Sequence, residues 1–316
     1  MSYGYTIRFI ALPLIFALSG CTAIQRVAHL YSAEAPSPRT FQYRDGGSSI
    51  YYSFTVGIGE AADTMVFFYG GTGCPSWKSV MPGYVDGFSA HARVFVLNKR
   101  FVDDHSTGLF ACGRDFHLAN NPARWTADYS EFIAAQVGSV PIKPKNVVLV
   151  GVSEGAIPAA QVAALSPLIT HLAIIGSGGY SMRQSLTTLE RRGAILFDVA
   201  SGWEKIASDP GSIEKNWYGN PYRWWSDIMD IDRLSTFLEL NIPILVGIGE
   251  LDESVPVESV RFLEATFDEK GKRNLTVKVY PGADHRLSAG GVSYRNEFFA
   301  ELSRLIYPLE NPPAAR

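Results

Sequence analysis

Asn146-Val147-Val148-Leu149-Val150-Gly151-Val152-Ser153-Glu154-Gly155 runs from a β-branched stretch into a Gly-x-Ser-x-Gly pentapeptide. Helix-compatible residues, Ala156 to Leu165, come next. The pentapeptide alone marks no more than a glycine-rich turn with a surface serine. The order strand, Gly-x-Ser-x-Gly, helix is the context of a nucleophile elbow, in which a serine hydroxyl is lifted above the edge of a sheet. So tight a turn predicts a strained backbone at Ser153. It also predicts close approach of neighbouring chain at Gly151 and Gly155, which lack a Cβ.

The rest of the chain supplies the sheet that an elbow needs. Thr40–Arg44 and Ile50–Val56 flank Asp45-Gly46 and read as a β-hairpin. Thr64–Tyr69 is a continuous apolar strand ending in Gly70-Gly71-Thr72-Gly73, and a helix is predicted from Trp77 to Ala90. Arg93–Leu97, Leu172–Ile175, Ile242–Ile248 and Leu275–Tyr280 read as further strands. Ala123–Val137, Val257–Lys270 and Tyr294–Leu305 read as helices. A hairpin followed by this alternation predicts an α/β fold, one mostly parallel sheet with helices on both faces. Asn98–Pro122 has no clear period, and so long a loop in a compact domain is usually functional. Residues 180–235 are helical in pattern and rich in aromatics: Trp203, Trp217, Tyr218, Tyr222, Trp224 and Trp225. They read as a cap inserted over the C-terminal edge of the sheet, where ligands bind in open α/β folds. The cap aromatics suit both a small packed core and the lining of an apolar pocket.

A serine hydroxyl needs a base beside it, and the base needs an orienting carboxylate. His285, in Tyr280-Pro281-Gly282-Ala283-Asp284-His285, is the one histidine in a tight loop after a C-terminal strand. His29 lies in an N-terminal tether, His91 and His171 precede strands, and His105 and His117 in the long loop stay open by position. Gly249-Glu250-Leu251-Asp252-Glu253-Ser254-Val255-Pro256 follows another strand and holds three carboxylates. Asp252 is the expected acid, with Glu250 the alternative. The order Ser153, Asp252, His285 differs from the chymotrypsin-like and subtilisin-like orders. A developing oxyanion needs backbone donors set in advance. The expected pair is the Glu154 amide and the Gly71 amide, with Thr72 the neighbour that can replace the latter. The Gly70–Gly73 run lacks the Lys-Ser/Thr ending of a phosphate-binding loop.

The chain has 316 residues, is 47% hydrophobic and carries a net charge of −3, which gives no electrostatic case for nucleic acid. Arg8 precedes an apolar run, Phe9 to Leu18, which is short for a membrane span and suits a signal-peptide core. Leu18-Ser19-Gly20-Cys21 resembles the lipobox of bacterial lipoproteins. The resemblance implies cleavage before a lipidated Cys21, and Thr22 in place of Asp favours the outer membrane, facing the periplasm. Residues 22–40, with Pro36 and Pro38, then read as a tether. Of the three cysteines, Cys74 and Cys112 remain. They suit one bridge in an oxidising compartment, or two free thiols, and are too few ligands for a metal.

From about residue 40 to 308 the chain resembles the α/β-hydrolase superfamily, on the elbow, the acid turn and the histidine turn together. Ile242 to His285 is similar to dienelactone-hydrolase-like and prolyl-oligopeptidase-like members. The resemblance implies a serine hydrolase that cleaves a carboxylic ester or related acyl bond through an acyl-enzyme. It needs no cofactor and no metal, and takes a small acyl substrate. It also implies that the strands ending at Tyr69 and Leu97 are neighbours, so that Cys74 and Cys112 emerge at one sheet edge. Tyr69 departs from the frequent histidine before the oxyanion glycines. A prolyl-oligopeptidase-type peptidase, lacking a preceding β-propeller, and a non-catalytic surface binding protein are the rival expectations.

Overall fold

A computed structural model of the chain describes residues 28–29, 32, 35–57, 63–108 and 112–308. Cys21, the expected signal segment and most of the expected tether lie outside them. Strands β1 (Arg39–Gln42) and β2 (Ser48–Val56) pair antiparallel. The next are β3 (Thr64–Tyr69), β4 (Ala92–Leu97), β5 (Asn146–Val152), β6 (His171–Ile175), β7 (Ile244–Gly249) and β8 (Leu275–Tyr280). The eight form one sheet in the order β1-β2-β4-β3-β5-β6-β7-β8, parallel from β4 onward.

Strand residues alternate between two buried faces, as an apolar run covered on both sides must. Phe67, Leu149 and Ile174 face helices α2 (Pro122–Gly138), α3 (Ala156–Leu165), α7 (Arg233–Glu239) and α8 (Val257–Glu269). Phe68, Val150 and Ile175 face Met81, Val85 and the last helix, α9 (Arg295–Ile306). Each fully buried side chain of this size contributes about 1.5–3 kcal/mol. The cap lies between β6 and β7. It holds α4 (Met182–Arg191), α5 (Val199–Ala207), α6 (Tyr222–Ile228) and a short ribbon pairing Asn216–Trp217 with Asn220–Pro221. Leu186, Leu189, Val199, Ile206, Trp224 and Trp225 form its own core.

Two stretches differ from expectation. Trp77 to Ala90 is not a helix but two 3-10 turns, Trp77–Ser79 and Gly83–Val85. Pro82 lacks an amide donor and Gly83 is a poor helix former, so the pattern breaks between them. The long loop contains a helix, α1 (Arg114–Ala119), whose six residues are too few to show a period.

Candidate active site

Register brings the functional loops together. Tyr69 pairs with Gly151, so the Gly70–Gly73 loop and Ser153 leave the sheet side by side. Tyr280 pairs with Gly249, so the acid turn and the histidine turn also emerge together. Ser153 has φ +54°, the left-handed region that side-chain-bearing residues rarely adopt. The glycines around it are sterically required. A Cβ on Gly151 would lie 2.8 Å from Ala156 Cα, and one on Gly155 would lie 2.5 Å from the Gly70 carbonyl oxygen. Ser153, His285, Gly71 and Thr72 line one cleft of about 970 Å³, roofed in part by Trp224 and Trp225 of the cap.

His285 Nδ1 lies 2.9 and 2.8 Å from the two carboxylate oxygens of Asp252. Asp252 is 5% exposed, and its Oδ1 also accepts from the amides of Ser254 and Val255, each at 2.8 Å. Burial lowers the pKa of the imidazole, but the hydrogen bond and charge of Asp252 outweigh it, so the net shift is upward. The other two carboxylates of the turn do different work. Glu250 Oε2 accepts from the Gly282 amide at 3.0 Å, and Glu253 Oε2 accepts from the His285 amide at 3.3 Å. Gly176, at φ +63°, lies under the imidazole: a Cβ there would lie 2.8 Å from His285 Cε1. His117 sits on α1 and His105 beside Asp104, neither of them in this cleft. His29 does line it, with Nε2 2.7 Å from the Met81 carbonyl oxygen.

The Gly70–Gly73 loop is braced without a histidine. Tyr69 is buried and stacks on Tyr129, with ring centroids 3.6 Å apart. Gly70 packs on the Trp77 indole. A Cβ on Gly71 would lie 3.4 Å from Ser153 Cβ, so this backbone runs directly alongside the serine.

The prolyl oligopeptidase family matches residues 98–305. The chain belongs to this family. It is therefore a hydrolase, and its fold is that of the α/β-hydrolases. A search of the curated proteins finds no match. Among solved structures it is similar to an acylaminoacyl peptidase from Pyrococcus horikoshii, at 14% identity and TM-score 0.54, over 87% of this chain and 42% of that one. It is similar to an esterase from Pyrococcus furiosus, at 15% identity and TM-score 0.55, over 86% and 90% of the chains. It is also similar to an α/β hydrolase from Novosphingobium aromaticivorans, at 13% identity and TM-score 0.52, over 87% and 99%. At these identities the likeness is one of fold. The chain spans about two fifths of the peptidase's length.

In this member of the prolyl oligopeptidase family the residue after the serine carries more than an amide. The Glu154 side chain is almost fully buried, 3.2 Å from Lys99 Nζ, and it accepts a short hydrogen bond from Trp224 Nε1 of the cap. Lys99 Nζ also sits 3.7 Å over the Trp125 ring. Burial pushes the Lys99 ammonium down to about 8 against the opposing pull of Glu154. Arg233, buried and bonded to Ser177 Oγ, adds a second positive charge to the surroundings of Glu154. Sequence reasoning missed Lys99, Arg233 and this use of Trp224. The available signal was a lysine placed directly past the C-terminal end of β4, where a charge faces the site rather than solvent.

Cys74 and Cys112 are joined, with Cα atoms 5.9 Å apart, beside α1 and within three positions of Gly71. Ser106 reinforces the contact, its Oγ donating to the Cys74 carbonyl at 2.6 Å. The bridge closes a span of 38 residues, which the chain-entropy picture values at about 4 kcal/mol. Reduction is expected to lower the melting temperature and to slow turnover by loosening the loop that carries Gly71. Non-reducing peptide mapping with calorimetry checks this, and two cysteines alkylated without reductant would remove the bridge.

Proposed function

We propose that this protein is a carboxylic ester hydrolase in which Ser153, His285 and Asp252 form a catalytic triad. Ser153 Oγ attacks the acyl carbonyl while His285 Nε2 takes its proton. The Gly71 and Glu154 amides hold the oxyanion that develops. Collapse expels the alcohol, which leaves with the proton returned by His285. Water, deprotonated by the same imidazole, then releases the acid from the acyl-enzyme. The observation that carries this reading is the buried Asp252 carboxylate held on His285 Nδ1 in the cleft that Ser153 enters from a left-handed turn.

The family match supports a second reading, a peptidase. An ester, a thioester and an amide of one acyl group, compared by kcat/KM, separate the two. A kcat/KM higher on the amide than on the matched ester would replace the ester reading. Labelling of Ser153 by a fluorophosphonate distinguishes both readings from a binding protein that keeps the fold without turnover.

We further propose that the mature chain begins at a lipidated Cys21 and is held on the periplasmic face of the outer membrane. The lipobox-like Leu18-Ser19-Gly20-Cys21 supports this. Among the described residues no helix is long and apolar enough to cross a membrane. Cys21→Ser is expected to move the protein from the membrane to the soluble fraction and to abolish incorporation of a palmitate analogue. Retention of the variant in membranes after a carbonate wash would instead assign anchoring to the apolar run at Phe9–Leu18.

A further inference from the structure

The two walls of the cleft differ in chemistry. The cap contributes Met182, Leu186, Leu189 and Ile195, together with the Trp224 and Trp225 faces. The body of the domain contributes two arginines, Arg286 and Arg295. Neither forms an ion pair among the described residues. Arg100 and Arg183, by contrast, are neutralised, by Asp128 at 2.7 Å and by Asp230 at 2.6 Å. Arg295 is held in place without a counter-charge. Its guanidinium lies 4.8 Å over the Tyr84 ring, and its Nε is buried with no hydrogen-bond partner among the described residues. Glu253 is the single carboxylate among the described residues lining the cleft, and its Oε2 accepts from the His285 amide.

The position of the pair identifies which part of a substrate it meets. Arg286 directly follows His285, the residue that returns the proton to the departing alcohol. Arg295 opens α9, and the residue before it closes the same turn, with the Tyr294 amide donating to the Leu287 carbonyl at 2.8 Å. The apolar cap wall suits an acyl chain. We propose that Arg286 and Arg295 form a subsite for an anionic group, a carboxylate or a phosphate, carried on the alcohol side of an ester whose acyl part lies under the cap. The guanidinium fork matches both anions, and the Tyr84 ring under Arg295 fixes the orientation of its guanidinium. The inference rests on the ester-hydrolase reading and narrows it to amphipathic esters with an anionic alcohol portion.

The test compares three esters of one acyl group: 1-butyrylglycerol, 1-butyrylglycerol 3-phosphate and 3-O-butyrylglycerate. The full-length enzyme is expected to favour one or both anionic esters over the neutral one by about tenfold or more in kcat/KM, mainly through KM, and salt should erode the preference. Preference for the phosphate alone or the carboxylate alone identifies the anion. Arg295→Gln should collapse the anionic-to-neutral ratio by about tenfold, and Arg286→Gln, at an exposed position, by less. A wild-type ratio near one, or a ratio unchanged in Arg295→Gln, overturns the subsite while leaving ester hydrolysis standing. If no ester is turned over, the ester-hydrolase reading fails instead. Calorimetric affinities of the same neutral and phosphorylated compounds for the unaltered protein then decide the subsite on their own, with equal affinities counting against it.

Discussion

Ser153→Ala is expected to reduce hydrolysis of 4-nitrophenyl butyrate by about a million-fold in kcat, the scale on which loss of a triad nucleophile acts. The residual rate should still exceed that in water, because oxyanion donors and substrate binding survive the substitution. The fold should survive too. Alanine adopts the φ of +54° at the same cost as serine. The elbow itself depends on Gly151 and Gly155, whose contacts with Ala156 and with the Gly70 carbonyl the substitution leaves untouched. Near-wild-type circular dichroism together with loss of both turnover and fluorophosphonate labelling is the expected pair of results. A folded Ser153→Ala protein that keeps wild-type turnover would move the nucleophile elsewhere in the cleft.

The sheet was legible because its strands obey local rules. Phe67 and Phe68, or Leu149 and Val150, are consecutive apolar residues that go to opposite faces, each covered by helices. An uninterrupted apolar run therefore signals a central parallel strand. The hairpin was legible from Asp45-Gly46, where Gly46 supplies φ +83°. Trp77 to Ala90 failed because its apolar residues pack on β3 and α9 without regular helix, around Pro82 and Gly83. Periodicity cannot tell such a segment from a helix when side chains alone decide what is buried.

The site was legible where chemistry and topology coincide. Ser153, Asp252 and His285 each stand just past a strand end, and pairing register delivers them to one edge. The choice between Asp252 and Glu250 was not local. It depends on which carboxylate turns inward, and Glu250 is taken up by the Gly282 amide. The Lys99–Glu154–Trp224 contacts were illegible for the same reason: they join three segments far apart in sequence, and nothing near any of them names the other two. The cap aromatics divide as their exposure dictates. Trp224 and Trp225 serve both the cap core and the cleft, while Tyr218, 60% exposed, stands at its rim.

Asp252→Asn should lower kcat by about 10⁴ at neutral pH, whereas Glu250→Gln should change it little. The two substitutions remove one charge each from the same turn, so the contrast isolates geometry. The amide side chain introduced by Asp252→Asn can keep its oxygen on the backbone amides of Ser254 and Val255, which hold the wild-type carboxylate at 2.8 Å. Its NH₂ group then faces His285 Nδ1. That forces the proton onto Nε2, the atom that must accept from Ser153, so the base has the wrong tautomer. The pH dependence supplies a second readout. Asp252 is the main reason the His285 pKa lies above its ordinary value despite burial. The base must be neutral to act, so wild-type kcat/KM falls as pH drops through that raised pKa. Without the Asp252 charge burial dominates and the pKa falls, so the acid limb of the weakened enzyme should move to lower pH. Glu250→Gln, whose carboxylate bonds the Gly282 amide rather than the ring, should leave the limb in place. The reverse ranking, with Glu250→Gln the slow enzyme and the limb shifted in it, would transfer the orienting role to Glu250.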